Sequence, residues 1–412
     1  MNASLRPRRP LTWTLALGLF GVACSDDAKP DEMSDDTTGG EDSTDAAASE
    51  SGVADDSTGG AALDFSGFDA AVEAYLQQAG LEGATAAVVH RDLGVVHTAA
   101  YGTFELDRVI LLASASKTLS VGVLIRLHDQ GLLDLDDPLS SYVSGWMGSR
   151  DFSLAQMLSN SSGMVGLLDD PTYAPYLCQY LTPGTLSDCA AQIYGADDAA
   201  DIVPPDTQFR YGGGQWQLAG GVAELVTGKT WTQLVQETYV DTCGTTSLGY
   251  GNQFQQAVLE GGMEGAFSYP PFFEGDPANL MPSDNPNVEG GGYTNVLDYA
   301  ELLGMQLREG ECSNGTRVLS AEGVARMQQD RILDAYGGST GVGGGLDGYG
   351  LGWWVDREHP GVVADPGAYG AVPWLDHARG YAAVILLEGR AEDSAIKSTT
   401  QPELEAVFDG LE

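Results

Sequence analysis

The order of strand-like and helix-like segments limits most strongly what this chain can fold into. Segments 84–90 and 94–100 are rich in valine, alanine and threonine, and segments 353–355 and 381–387 have a similar apolar character far along the chain. Helical periodicity predominates between these two pairs. The pattern predicts an α+β fold, with an antiparallel β-sheet built from both ends, flanking helices and an inserted, mostly helical region.

The first 63 residues differ in composition from the rest of the chain. Residues 1–23 contain three arginines and then a run of roughly a dozen mostly apolar residues, which is typical of a signal peptide and too short to cross a bilayer. Cys24 follows Gly-Val-Ala, as in a lipoprotein cleavage site, so we expect its lipidation, with ordinary cleavage after Ala23 as the alternative. Residues 24–63 are acidic and predict a disordered tether, which leaves a folded domain at 64–412.

The charge of the chain limits its partners. A net charge of −40 disfavours nucleic acid and anionic ligands. We therefore expect no nucleic-acid partner, and membrane contact only through a lipidated Cys24. The signal peptide predicts an exported protein of the cell envelope, either an outer-membrane lipoprotein or a periplasmic or extracellular protein.

Four cysteines remain when Cys24 is set aside, and an exported chain meets an oxidising compartment. Four cysteines allow three pairings. We expect a short bridge between Cys178 and Cys189, with Cys243 and Cys312 as the long-range pair. No C-x-x-C is present and the histidines are scattered, so we expect neither a metal nor a cofactor.

A Ser-x-x-Lys sequence formed by Ser114 and Lys117 is the main candidate for chemistry. A helical pattern follows it, so Ser114 is predicted at the mouth of a helix and Lys117 one turn further on the same face. A serine needs a base to become a nucleophile. A lysine serves only if its pKa is lowered, which burial and a helix N-terminus both favour.

Four further stretches accompany this pair: 131–138, 157–164, 209–214 and 365–370. Together, in this order and spacing, the five stretches resemble the serine β-lactamase and penicillin-binding protein superfamily, and most closely its class C and esterase-like branch. The resemblance covers most of residues 65–395. It implies the β-lactamase/transpeptidase fold and an acyl-transfer reaction.

The resemblance also implies roles for individual residues. Ser114 matches the acylated nucleophile, Lys117 the motif lysine and Tyr211 the tyrosine that transfers protons. The N–H groups of Ser114 and Ala368 would form the oxyanion hole. The residues expected to line the substrate site are Asn160, Gly213, Asp365 and Gly367.

Three of these positions depart from the family pattern. Gly213 stands where the family has asparagine, and Asn160 where it often has histidine. Asp365 replaces a basic residue, so we expect it to repel a substrate carboxylate unless Arg210 or Arg379 compensates. A second serine motif, Gly-Gly-Ser-Thr-Gly at 337–341, is interpreted as a glycine-rich loop, because no apolar strand precedes it.

These observations predict an exported serine hydrolase that works through an acyl-enzyme on Ser114. A carboxylesterase-like or small-amide hydrolase is the first prediction, with a β-lactamase or D-Ala-D-Ala carboxypeptidase as its alternative. A non-catalytic, penicillin-binding-like protein is the alternative from another class. We expect a small-molecule ester or amide substrate, no cofactor and a monomer.

Overall fold

The computed structural model describes residues 63–343 and 345–411. The predicted signal peptide at 1–23, Cys24 and all but the last residue of the predicted tether at 24–63 lie outside the described residues. The two described stretches contain the strands β1 (Gly83–His90), β2 (Gly94–Gly102), β3 (Ile110–Leu111), β4 (Gly249–Tyr250), β5 (Gly292–Thr294), β6 (Gly348–Tyr349), β7 (Trp354–Val355), β8 (Val362–Ala364), β9 (Ala371–Asp376) and β10 (Tyr381–Leu387).

Helices lie before, between and after these strands. They are α1 (Ser66–Ala79), α2 (Lys117–Asp129), α3 (Leu154–Leu158), α4 (Leu186–Tyr194), α5 (Gly214–Thr227), α6 (Trp231–Val235), α7 (Asp241–Cys243), α8 (Phe254–Gly265), α9 (Val296–Leu307), α10 (Ala321–Gln328), α11 (Arg331–Tyr336) and α12 (Ile396–Phe408). Within the described residues, no helix is both long and apolar enough to cross a bilayer.

The larger sheet is antiparallel, with the strand order β2-β1-β10-β9-β8-β7-β6. Its centre joins the two ends of the described chain, since Ala84 of β1 pairs with Leu387 of β10. The smaller sheet has the order β3-β5-β4 and lies in the region between. The α+β prediction, with a sheet drawn from both ends and a helical region between them, is confirmed.

Both faces of the central strand β10 are buried, which explains its continuous apolar sequence. Ala383, Ile385 and Leu387 point into a core that also contains Phe68 of α1 and Leu404 of α12. The alternate residues, which face the inserted region, share a second core with helices α2, α5 and α9; they are Ala382, Val384 and Leu386. The sheet therefore separates an outer helical layer from the region that contains the site.

Two disulfides join the predicted partners. Cys178 is bonded to Cys189, and Cys243 to Cys312. The first links a 3₁₀ segment to α4, and the second links α7 to the turn after α9. Both lie in the region between β2 and β6, where few strands hold the chain together.

Candidate active site

Ser114 lies in a 3₁₀ turn, Ala113–Ser116, directly before α2 and thus at the mouth of a helix, where the sequence places it. Ala113 has a φ of 46°, in the left-handed region that residues with a side chain rarely adopt. The Ser116 hydroxyl donates to the Ala113 carbonyl at 2.6 Å and accepts from the Gly292 N–H at 2.9 Å. The unusual backbone before Ser114 is thus held against β5, and strained backbone of this kind concentrates at functional sites.

Two buried tyrosines hold the rest of this turn. The hydroxyl of Tyr299 donates to the Ala115 carbonyl at 2.8 Å, and that of Tyr250 donates to the Ser116 carbonyl at 2.9 Å. Both tyrosines belong to elements far away in sequence, α9 and β4. The position of Ser114 therefore depends on tertiary packing as well as on local sequence.

Lys117 begins α2, and its side chain is fully buried. Its Nζ lies 3.2 Å from the Ser114 Oγ and 3.0 Å from the Glu289 carbonyl oxygen, as a donor to both. Residues three apart in a 3₁₀ turn eclipse each other, so the lysine reaches the serine although the turn is not α-helical. The spacing of three residues thus predicts the neighbour that Ser114 has in the structure.

Tyr211 completes the group around the Ser114 hydroxyl. It is buried just before α5, and its hydroxyl interacts with the Ser114 side chain. The Lys117 ammonium lies 4.7 Å from the centre of its ring. Trp354 also packs against this ring, at 5.1 Å between centroids. Burial raises the pKa of Tyr211, while the charge of Lys117 opposes this rise.

The pKa of Lys117 corrects one expectation. Burial disfavours the ammonium, but the electrostatic interactions with Tyr211, Glu289 and Asp365 together outweigh burial and raise the pKa of Lys117 above its ordinary value. Lys117 is therefore an ammonium in the resting site, and the expected lowering of its pKa is wrong. The lysine and the tyrosine share their protons as a coupled pair.

The position of Asp365 corrects another expectation. Its side chain follows β8, is fully buried and accepts a hydrogen bond from the Thr118 N–H at 3.3 Å, at the start of α2. Burial raises the pKa of this carboxyl well above its usual range, against the opposing effects of Lys117 and Thr118. Asp365 thus has no exposed surface on which a substrate carboxylate could lie, so we do not expect the two to be in direct contact.

Asn160 and Gly213 hold the tyrosine loop. Asn160 is fully buried, and its Oδ1 accepts hydrogen bonds at 2.9 Å from the Gly212 N–H and from the Trp216 indole. Gly213 has a φ of 85° and donates its N–H to the Glu289 Oε2 at 2.9 Å. Both residues support Tyr211, and Asn160 has no exposed surface on which a substrate could lie.

Gly367 places Ala368 beside the serine turn. A Cβ at position 367 would lie 2.0 Å from the Leu112 carbonyl oxygen and 3.2 Å from the Ala115 nitrogen, so only glycine fits. Across residues 63–343 and 345–411, no hydrogen bond within the protein uses the N–H of Ser114 or of Ala368. Both N–H groups are therefore available for the predicted oxyanion hole.

Glu289 is a site residue that the sequence reasoning missed. It is 3% exposed, in the turn before β5, and its Oε2 lies 3.5 Å from the Lys117 Nζ. The only signal in the sequence is an acid between Val288 and three glycines, where a solvent-facing turn would also be acidic. No local spacing connects it with Lys117, because the two residues are far apart in the chain.

The other candidates from the sequence lie elsewhere. Ser339 is exposed in a loop after α11, where its hydroxyl contacts Asp347 and the Gly341 N–H. Arg210 is paired with Asp169 at 2.7 Å. Arg379 is paired with Asp376 at 2.8 Å and with Asp409 at 2.7 Å. Both arginines are thus engaged in ion pairs, and neither is available to replace the basic residue that the family has at position 365.

The fold and this site define a class of protein. A serine whose hydroxyl contacts a lysine and a tyrosine, beside two unused N–H groups, has the parts that acyl transfer requires. The chain belongs to the β-lactamase family, whose sequence model matches residues 68–406.

Two proteins that are similar in sequence to this chain have names that indicate different activities. The chain is 27% identical over 256 residues to penicillin-binding protein 4 of Amycolatopsis lactamdurans, covering 59% of this chain and 60% of that protein. It is 30% identical over 161 residues to lovastatin esterase of Penicillium rubens, covering 34% of this chain and 39% of the esterase. The chain thus spans less than two thirds of either relative.

A solved structure agrees with the fold. EstCE1, described as a hydrolase with promiscuous acyltransferase activity, superposes with a TM-score of 0.63 at 19% identity, over 83% of this chain and 99% of EstCE1. At this identity the likeness concerns the fold. The β-lactamase/transpeptidase-like architecture is therefore established for the described residues, and the family membership supports a hydrolase.

Proposed function

We propose that the protein is a serine hydrolase that forms an acyl-enzyme at Ser114 and acts on neutral carboxylic esters or small amides. The observation that carries the proposal is the contact of 3.2 Å between the buried Lys117 Nζ and the Ser114 Oγ, with the Tyr211 hydroxyl at the same serine. Without such partners a serine hydroxyl is a weak nucleophile.

The reaction follows from these contacts. The active form of the site has lost one proton from the coupled pair of Lys117 and Tyr211. Ser114 gives its proton to this pair as its oxygen bonds to the substrate carbonyl carbon, and the N–H groups of Ser114 and Ala368 stabilise the oxyanion. The pair returns the proton to the leaving alcohol or amine, and water then releases the acyl group by the reverse route.

The preference for neutral substrates rests on the charges around the site. A substrate carboxylate needs a cation, and near the serine the structure places Lys117, which is buried and already contacts Ser114 and Glu289. Arg210, the neighbour of Tyr211, turns away to Asp169. The name of lovastatin esterase also supports an ester substrate.

A β-lactamase or D-Ala-D-Ala carboxypeptidase is the second candidate, favoured by the match to a penicillin-binding protein. The non-catalytic alternative draws support from Gly213 and Asp365, which depart from the family pattern.

Export through residues 1–23, lipidation of Cys24 and a tether at 24–63 remain predictions. The two disulfides support an oxidising compartment for the rest of the chain.

Intact-protein mass spectrometry tests the nucleophile and separates the proposal from the penicillin-binding and non-catalytic alternatives. Separate samples of the protein and of Ser114→Ala receive a fluorophosphonate or a penicillin. We expect one phosphonyl adduct, located at Ser114 and absent from the variant, and no lasting penicilloyl adduct. A long-lived penicilloyl adduct at Ser114 favours the penicillin-binding alternative, and no adduct with either reagent favours the non-catalytic one.

A further inference from the structure

Glu289 is a buried carboxylate whose contacts all lie within the candidate site. Its Oε2 lies 3.5 Å from the Lys117 Nζ and accepts from the Gly213 N–H at 2.9 Å. Its Oε1 accepts from the Tyr180 hydroxyl at 3.3 Å. The side chain is 4% exposed, so water screens its charge little. A buried charge with these partners acts mainly on the lysine.

The backbone beside Tyr211 is shaped to admit this carboxylate. A Cβ at position 212 would lie 2.6 Å from the Glu289 Oε2. Gly213 has φ 85° and ψ −163°, a conformation essentially restricted to glycine. An asparagine at 213, as the family resemblance implies, does not suit this backbone. The glycine and the buried glutamate therefore form a matched pair, in which Glu289 supplies the polar contact to Lys117.

We propose that Glu289 is a positioning residue that holds Lys117 against Ser114 and sets the pH range in which the lysine–tyrosine pair accepts the serine proton. This inference rests on the acyl-enzyme function proposed above. It assigns to the glutamate no contact with the substrate, since Glu289 acts through Lys117 and through the Gly213 N–H.

Besides Glu289, three titratable groups interact with the Lys117–Tyr211 pair or with Glu289. They are Tyr180, Tyr349 and Asp365. Burial raises the pKa values of Tyr180 and Tyr349 well above their usual range, and burial raises that of Asp365 as well. Among these groups, Glu289 is the one whose carboxylate oxygen forms an ion pair with the Lys117 Nζ, at 3.5 Å.

The sign of the effect follows from this ion pair. A negative charge beside a proton-accepting pair makes loss of a proton harder, so Glu289 raises the pKa values of both Lys117 and Tyr211. Removing the charge lowers the apparent pKa of the pair. The acid side of the pH–rate profile then moves to lower pH, while the pair becomes a weaker base and kcat falls.

The test compares Glu289→Gln, which keeps the shape and removes the charge, with Glu289→Asp, which keeps the charge on a shorter side chain. The matched control is Glu224→Gln, a half-buried glutamate whose partners are Ser187 and the Trp231 N–H. Position 224 lies about 15 Å along α5 from its start. For each protein, kcat and KM for p-nitrophenyl acetate are measured between pH 5 and 10.

For Glu289→Gln we expect the acid side of the kcat/KM profile to move down by about half a pH unit or more. We also expect kcat to fall about tenfold with KM within about threefold. Glu289→Asp should lie between this variant and the wild type, and Glu224→Gln should match the wild type. If Glu289→Gln does not fold, as judged by circular dichroism, the partial shift in Glu289→Asp becomes the test.

Two outcomes overturn the inference. One is a profile that keeps its wild-type midpoint in folded Glu289→Gln, whatever the loss in rate, because a structural role lowers activity without moving the midpoint. The other is the absence of fluorophosphonate labelling at Ser114 in the wild type, which overturns the proposed function as well. Labelled wild type with an unshifted variant profile overturns the role of Glu289 alone.

Discussion

Two serines in this chain lie in recognisable hydrolase motifs, and their surroundings differ. Ser114 lies in a turn whose neighbours Ala115 and Ser116 receive hydrogen bonds from buried tyrosines, and its hydroxyl meets Lys117. Ser339 lies in an exposed loop after α11, where its hydroxyl caps the turn at Gly341 and contacts Asp347. Neither contact of Ser339 supplies a base that is held by another group.

The difference shows what a short motif leaves out. A nucleophile needs a partner that is itself held in place and an oxyanion site within reach. At Ser114, tertiary contacts from β4, α9 and the loop before β9 supply these conditions. At Ser339 the glycines only form a turn, so a match to the motif does not indicate a nucleophile there.

The largest expected effect is the contrast between the two serines. Ser114→Ala should lower kcat/KM for p-nitrophenyl acetate by about 10³-fold or more, because the covalent step is lost. Ser339→Ala should leave the value within about twofold, since the hydroxyl only caps a turn. Steady-state kinetics on both variants checks this. Loss of activity in Ser339→Ala but not in Ser114→Ala would show that Ser339, and not Ser114, is the nucleophile.

The next effect concerns the partners of Ser114. Lys117→Met and Tyr211→Phe should each lower the acylation rate by about 10²–10³-fold, because each removes one member of the proton-sharing pair. The double variant should lose much less than the product of the two factors. Stopped-flow measurement of acylation checks this. Two small and additive effects would contradict a shared role.

A smaller effect should appear in stability. Tyr299→Phe removes the hydroxyl that donates to the Ala115 carbonyl at 2.8 Å and should cost about 1 kcal/mol of unfolding free energy. The matched control is Tyr336→Phe beside the Ser339 loop, because the buried Tyr336 hydroxyl has no hydrogen-bond partner among the described residues. We expect this control to be neutral or stabilising. Urea unfolding measures both free energies. Equal losses of stability in the two variants would contradict the claim that the Ser114 turn is held more firmly than the Ser339 loop.

The smallest effect on catalysis is expected from Asp365→Asn. The raised pKa means that the folded state binds the proton more tightly than the unfolded chain does, so this carboxyl destabilises the wild type increasingly above about pH 4. Asparagine removes that cost, so the variant should gain stability over the wild type as pH rises. Thermal unfolding between pH 4 and 8 measures this gain.

The same variant tests whether Asp365 influences substrate choice. The ratio of kcat/KM for p-nitrophenyl acetate to that for a chromogenic cephalosporin should change by less than about threefold, since the carboxyl is buried and its pKa is raised. A shift of tenfold or more toward the cephalosporin would show that a charge at Asp365 does reach the substrate.

Much of the fold was predictable because periodicity reports burial. Segment 381–387 was predicted as a strand with the bounds that β10 has, since both of its faces are buried and its sequence is apolar throughout. Strand β9 was missed because Pro373 interrupts its pattern, and β8 because it has three residues. Helix α12 was missed because Pro402 lies inside it and Thr400 belongs to its buried face.

The site was predictable only where the chemistry follows from local spacing. Ser114 and Lys117 are three residues apart, and any helical turn brings them together. Glu289 reaches Lys117 only through the tertiary fold, so no spacing indicates it. For Asp365 the motif predicted where the backbone lies in the site. It did not indicate that the side chain is buried.

The pairing of β1 with β10 also determines at what stage of folding the candidate active site is complete. Ala84 must find Leu387, a search across roughly 300 residues, and such non-local contacts form late. The loop at Gly367 that closes on Leu112 belongs to the same late segment. A growing chain therefore contains Ser114 long before it contains a finished oxyanion hole. Acylating activity should emerge only when the final strand docks, which keeps the nucleophile inert until the fold is complete.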